Sequence, residues 1–250
     1  MTLQGKRCII HGAAGAIGSA VARAFAGEGA QVFLAGRTLE KLEALAAELR
    51  AEGGIAYAAR VDALDYGAVR QHAAAVAEQA GGIDVMLNAV GVPHVQGVPF
   101  ADLSYEDFQL PVQTYTRTVF LTSQAAARYM ARQRSGVILT LSTPGARLSG
   151  AGFLGNGTSS AAVEAMSRIL AGELGRQGIR VICIRSDAIP EAVPVSHARA
   201  AFEGMARRWA SAWRSSCNRA PMAQPCSDAF RRWPKSVRLQ HLPHRTAQAP

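Results

Sequence analysis

The run His11-Gly12-Ala13-Ala14-Gly15-Ala16-Ile17-Gly18 follows a short strand-like segment, Arg7 to His11, and opens a stretch with helical spacing. A strand that turns through glycines directly into a helix is a phosphate-binding device of dinucleotide folds, and only in that context does the glycine pattern carry weight. Each glycine has a separate physical task. Gly12 permits the tight turn out of the strand, Gly15 lets backbone approach a pyrophosphate, and Gly18 allows the helix to pack closely on the sheet. The amides of Gly12, Ala14, Gly15, Ala16, Ile17 and Gly18, together with the positive end of the helix, are therefore predicted to hold the phosphates. Glycines in such a turn can also be purely structural.

The rest of the first two thirds agrees with that turn. Short β-branched or apolar runs alternate with longer Ala/Leu/Glu/Arg-rich stretches, the pattern of repeated βαβ units. Strands are predicted at Arg7–His11, Gln31–Ala35, Ile55–Val61, Ile83–Asn88, Gly136–Leu141 and Arg180–Arg185. Helices are predicted near 16–28, 38–52, 65–80, 104–132 and 157–175. The fold class that follows is α/β: a Rossmann-like, doubly wound parallel sheet in a single domain over 1–206, with an atypical tail at 207–250.

Where the second predicted strand closes, dinucleotide folds choose between the two nicotinamide cofactors. Gly36-Arg37 stands there, and no acid is present to accept from a ribose 2′-hydroxyl. The fixed charge and planar fork of Arg37 suit a 2′-phosphate, so NADP is favoured over NAD. The plainer reading is a solvated arginine at the start of the next helix.

Charge and composition limit the partners. A net charge of +9 would suggest nucleic acid or a membrane surface if it were spread over the fold, but it is concentrated at one end. Residues 207–250 hold nine Lys/Arg against the single acid Asp228, whereas the remainder is nearly neutral. All three tryptophans and five of the eleven prolines lie in this same stretch, where no strand or helix period survives. Such a segment reads as an irregular basic tail, or as the product of a reading-frame shift near Arg207 in a GC-rich gene. In the second case the sixth strand would lose a neighbour and become prone to wrong pairing. Nucleic acid is not expected as a partner, since the basic residues lack helical spacing and any recognised module. The four cysteines, Cys8, Cys183, Cys217 and Cys226, have neither metal-site nor disulfide-framework spacing. With no apolar run of membrane-spanning length and no leader-like start, the chain is expected to be cytoplasmic, with no membrane partner.

Over positions 5–190 the chain resembles the classical short-chain dehydrogenase/reductase family. The glycine turn matches that family's first motif, with His11 in place of the usual threonine. Arg60-Val61-Asp62 resembles the segment whose aspartate meets the adenine, which implicates Asp62 and Ala63. Asn88-Ala89-Val90-Gly91 resembles the Asn-Asn-Ala-Gly motif with its second asparagine lost, which implicates Asn88, Ala89 and Val90. Phe120-Leu121-Thr122-Ser123-Gln124-Ala125-Ala126 and Ala161-Ala162-Val163-Glu164-Ala165-Met166 extend the likeness. What the resemblance implies is hydride transfer on a small-molecule carbonyl or alcohol, and a homodimer through helices 104–132 and 157–175.

The catalytic residues depart from that pattern. The family pairs a tyrosine with a lysine four residues later; here Asn156 and Ser160 stand at those places. No tyrosine lies beyond Tyr129 and no lysine lies between Lys41 and Lys235, so a shift of register does not restore the pair. By the same alignment Tyr115 takes the place of the family's helix asparagine, and Ser186-Asp187 replaces a Pro-Gly. Thr143, or its neighbour Ser142, stands where the family's serine polarises a carbonyl. An asparagine transfers no proton, and losing a general acid costs ~10²–10⁴ in rate. The catalytic residues are thus unknown. Tyr115 and His94 can be weighed as substitutes, against their plainer readings as a packing residue and a loop residue. Two functions follow: an NADP-dependent oxidoreductase with an altered or impaired site, and a non-catalytic dinucleotide-binding module.

Overall fold

A computed structural model describes residues 1–150, 152–187, 189, 192, 196 and 199–208. Six parallel strands form one sheet: β1 (Arg7–His11), β2 (Gln31–Gly36), β3 (Ile55–Arg60), β4 (Val85–Asn88), β5 (Gly136–Ser142) and β6 (Ile179–Arg185). Between them run α1 (Ala16–Gly27), α2 (Leu39–Ala51), α3 (Tyr66–Ala80), α4 (Tyr105–Gln133) and α5 (Leu154–Leu174). The spatial order β3-β2-β1-β4-β5-β6 means the chain winds outward in one direction from β1, then returns and winds outward in the other. The two windings part between β1 and β4, and the crevice at their carboxyl ends is where such sheets bind ligands. Residues 199–208 are helical, and Met1–Ala206 make up one compact unit. What the sequence suggests for the basic tail falls, beyond residue 208, outside the described residues.

Strand alternation builds a core on each face of the sheet. Ile9, Phe33, Met86 and Ile138 meet α3, α4 and α5 through Val69, Ala73, Leu121, Met130 and Leu174. Ile10, Leu34 and Leu87 point the other way and meet α1 and α2 through Ala22, Leu42 and Leu49. These strands read as near-continuous apolar runs because a parallel sheet is covered on both sides.

Two predicted boundaries move by more than one residue, for visible reasons. β4 begins at Val85 rather than Ile83, because the side-chain amide of Gln133 takes both backbone groups of Ile83, accepting from its N–H at 2.8 Å and donating to its carbonyl at 2.9 Å. α5 begins at Leu154 rather than 157. Its Gly155 and Gly157 weaken a helix by propensity, but a Cβ on Gly155 would lie 3.1 Å from the Pro111 ring and one on Gly157 would lie 2.9 Å from the Gly145 carbonyl. Close packing against α4 and the turn after β5 sets that first helical turn, and local sequence carries no trace of it.

Candidate active site

The glycine turn lies at the carboxyl edge between β1 and α1. Gly12 adopts φ +77°, and its N–H and that of Ala13 both bond the Ala35 carbonyl, at 2.8 and 3.2 Å. A Cβ on Gly12 would come within 2.5 Å of the Ala89 carbonyl oxygen, so the turn and the segment leaving β4 touch through backbone alone. A Cβ on Gly18 would run into the Gly12 carbonyl. Gly15 is different: its φ is −78° and an added Cβ would meet just the Gly12 oxygen, at 3.2 Å. The fold itself therefore demands glycine at 12 and 18 and asks much less of position 15. Ala14 and Gly15 are exposed. Among the described residues no side chain caps α1, and its first turn carries no acid, so the helix presents unneutralised N–H groups to whatever occupies the crevice.

The predicted companions of the turn surround it along the same edge. Arg37 is exposed where β2 ends and, among the described residues, forms no ion pair. Asp62 is exposed at the end of β3, where its carboxylate accepts from the Leu64 N–H at 2.9 Å, and Ala63 is buried beside it. Asn88 closes β4 in a buried position. Its amide nitrogen donates to the Thr122 hydroxyl at 3.1 Å, and its carbonyl oxygen accepts from the Val90 N–H at 3.1 Å, which fixes the path of Ala89 and Val90 past Gly12.

A second cluster joins the end of β5 to α5. The hydroxyls of Thr143 and Ser160 lie 2.9 Å apart and bond to each other. Ser142 points away and donates to Glu164 at 2.9 Å. Glu164 in turn takes a two-pronged bond from Arg185, 2.7 Å on each arm, with Arg147 at 3.8 Å. The Arg185 bond, then the Ser142 hydroxyl, hold the Glu164 carboxyl down at about 2 despite some desolvation. Ser142 is thus committed to Glu164, whereas in the Thr143–Ser160 pair either hydroxyl can be the donor. Asn156 is buried, with its amide nitrogen next to Gly145.

Of the two substitutes weighed for a proton donor, His94 has both ring nitrogens engaged, whereas Tyr115 is engaged only as an acceptor. Burial pushes the Tyr115 phenol above its ordinary value, and its oxygen accepts from the Val92 N–H at 3.5 Å. His94 has Nδ1 at 2.9 Å from the Val92 carbonyl and Nε2 at 2.9 Å from the Gln96 amide. These contacts fit a neutral ring that donates from Nδ1 and accepts at Nε2. Burial lowers its pKa, which keeps that neutral form. Cys8 is buried and its thiol is pushed up to about 12 by desolvation, so it is inert.

One pair escapes sequence reading altogether. His11, immediately before Gly12, meets His72 of α3 edge to face, ring centres 5.9 Å apart. Burial lowers His11 to about 3, with repulsion from His72 adding to it, and burial lowers His72 to about 4. Among the described residues the buried His72 Nδ1 has no hydrogen-bond partner. Nothing in the spacing of residues 11 and 72 signals the pair; the β1–α3 packing creates it.

The fold and this arrangement define a dinucleotide-fold protein of the dehydrogenase type. The family model for short chain dehydrogenases matches residues 6–194, and the chain belongs to that family. D-threitol dehydrogenase of Mycolicibacterium smegmatis is 32% identical over 179 residues, 72% of this chain and 68% of its own. Momilactone A synthase of Oryza sativa subsp. japonica is 34% identical over 201 residues, 80% of this chain and 71% of its own. Among solved structures, an NAD+-bound xylitol dehydrogenase superposes with a TM-score of 0.71 at 28% identity, covering 75% of this chain and 72% of its own.

Proposed function

We propose that this chain binds NADP at the β1–α1 turn and acts as an oxidoreductase on a small carbonyl or alcohol, with proton transfer impaired at Asn156 and Ser160. The observation that carries the binding half is Gly15. It is exposed, its backbone suits any residue, and little in the protein excludes a side chain from it, so the room it leaves serves a ligand that comes close to backbone. The residues fit the cofactor. In this reading the turn from Gly12 to Gly18 holds the pyrophosphate through the amides of Ala14, Ala16, Ile17 and Gly18, while the N–H groups of Gly12 and Gly15 close the turn on the Ala35 and Gly12 carbonyls, and Arg37 meets the 2′-phosphate. Asp62 and Ala63 border the adenine, with Asn88, Ala89 and Val90 beside the nicotinamide half. The xylitol relative is NAD+-bound, so the preference for NADP rests on Arg37 and the absence of an acid there.

When bound, the nicotinamide gives or takes the hydride. The chain's own contribution is to orient a substrate oxygen by the Thr143 hydroxyl, which donates to it while accepting from Ser160. Neither Asn156 nor Ser160 titrates near neutrality, and the Tyr115 phenol is held above its ordinary value, so proton exchange at that oxygen is slow. The named substrates of the threitol and xylitol relatives support a small alcohol or its carbonyl. A homodimer through α4 and α5 accords with Phe120 at 51% and Ile169 at 63% exposure on those helices.

The same residues favour a second reading, a dinucleotide-binding module without catalysis. Melting curves with NADPH and NADH test the binding shared by both readings; no shift with either overturns both. NADPH consumption against a panel of carbonyls, run beside the Asn156→Tyr/Ser160→Lys variant, separates them. Slow turnover by the parent supports the enzyme, and turnover by the variant alone supports the module.

A further inference from the structure

Away from the dinucleotide crevice, two adjoining hollows of about 330 and 360 Å³ lie along the seam of α3 and α4 and share Ala74 and Tyr129. We propose that this seam is a docking groove for an acidic, apolar-bearing peptide segment of a partner protein. The groove has an apolar floor, where Ala74, Ala77 and Ala125 let the two helices leave open space. Its rim carries three exposed guanidiniums, Arg70 of α3 and Arg128 and Arg132 of α4, against one carboxylate, Glu78. Among the described residues none of the three arginines forms an ion pair, whereas Arg7, Arg23 and Arg185 do. Two of the three are preset for a ligand: Arg70 donates to the Tyr66 hydroxyl at 3.0 Å with its guanidinium 5.2 Å from that ring's centre, and Arg132 lies 5.7 Å from the centre of the Tyr129 ring.

Those ring contacts also choose between anionic partners. Single-stranded nucleic acid uses open aromatic faces to stack its bases, and here each tyrosine already has an arginine of this chain over it. Carboxylates need no such face; a guanidinium takes one through two parallel bonds. The floor accepts small aliphatic side chains. From Tyr66 to Glu78 the groove runs about 18 Å at the helical rise of 1.5 Å per residue, enough for roughly three turns of an amphipathic helix laid into it.

The test uses the full chain and a fluorescein-labelled twelve-residue peptide with small aliphatic residues at i, i+3, i+4 and i+7 and Glu elsewhere, followed by anisotropy. Binding is expected to saturate, and Arg70→Glu and Arg128→Glu are each expected to weaken it about tenfold. Arg168→Glu, an exposed site on α5 outside the groove, is expected to leave it unchanged. Because all three arginines are exposed, the variants are expected to keep the parent's melting temperature; should Arg70→Glu lose it, Arg128→Gln with its smaller change carries the comparison. Absence of saturable binding overturns the proposal. An equal loss in Arg168→Glu overturns it too, since that marks bulk attraction to a basic chain. A single-stranded DNA 20-mer that binds more tightly than the peptide and loses affinity through the same arginines assigns the groove to nucleic acid instead.

Discussion

The hydroxyls of Thr143, at the end of β5, and Ser160, inside α5, lie 2.9 Å apart and bond to each other. Ser160 is a short polar residue that bonds its neighbour and supplies no charge. A free tyrosine titrates at ~10 and needs a nearby cation to work near neutrality. The cluster has neither the phenol nor the ammonium, and its one strong acid, Glu164, is engaged by Arg185 and Ser142.

Restoring the pair should therefore restore the rate. Asn156→Tyr/Ser160→Lys is expected to raise NADPH consumption by ~10²-fold or more over the parent, the range a positioned general acid contributes. Initial rates across a carbonyl panel check it. Equal rates for parent and variant would show that the proton comes from elsewhere, and Tyr115→Phe then asks whether that phenol supplies it.

The glycines of the turn should respond differently to alanine. Gly12→Ala meets both φ +77° and the Ala89 carbonyl 2.5 Å away, so a loss of more than about 2 kcal/mol is expected in urea unfolding. Gly15→Ala is expected to unfold like the parent and to lose most of its NADPH response. A Gly15→Ala protein that binds NADPH as well as the parent would remove the role given to that residue.

Arg37→Gln should reverse the cofactor preference. Losing a charge-assisted contact with a 2′-phosphate costs ~1.5–3 kcal/mol, roughly 10- to 100-fold in NADPH affinity, while NADH binding stays within about twofold. Titration by fluorescence quenching reads both. Parallel losses for the two cofactors would place Arg37 elsewhere than at the 2′ position.

Acid should unfold this protein through its histidines before its carboxylates. His11 and His72 have folded pKa values near 3 and 4 against an ordinary 6.5, so below about pH 6.5 the unfolded chain binds more protons than the folded one. Stability is complete above that value and declines as the pH falls toward 4. Glu164, held at about 2 against 4.5, adds to the loss only below about pH 4.5. Urea midpoints at pH 7, 6 and 5 are expected to decrease in order, with a shallower decrease in His11→Thr. An unchanged slope in that variant would mean the buried pair is not the source.

Much of this molecule is legible along the chain. Arg7–His11, Gln31–Ala35 and the helix between them are written in apolar periodicity, because one strand or helix needs only its own spacing to be recognised. The glycine turn is legible for the same reason, since its neighbours in space are largely its neighbours in sequence. The absence of a tyrosine and lysine around 156 and 160 is likewise a fact of sequence alone.

What tertiary structure decided are the contacts between residues far apart in the chain. Gly12 needs to be glycine as much for the Ala89 backbone as for its own turn. Ser142, Glu164 and Arg185 come from three elements and meet at one carboxylate, and His11 finds His72 across β1 and α3. The α3–α4 groove exists only once both helices are laid side by side on the sheet. Periodicity says which face of an element is buried; which side chains then touch depends on crossing geometry and packing between elements, and no local pattern encodes that.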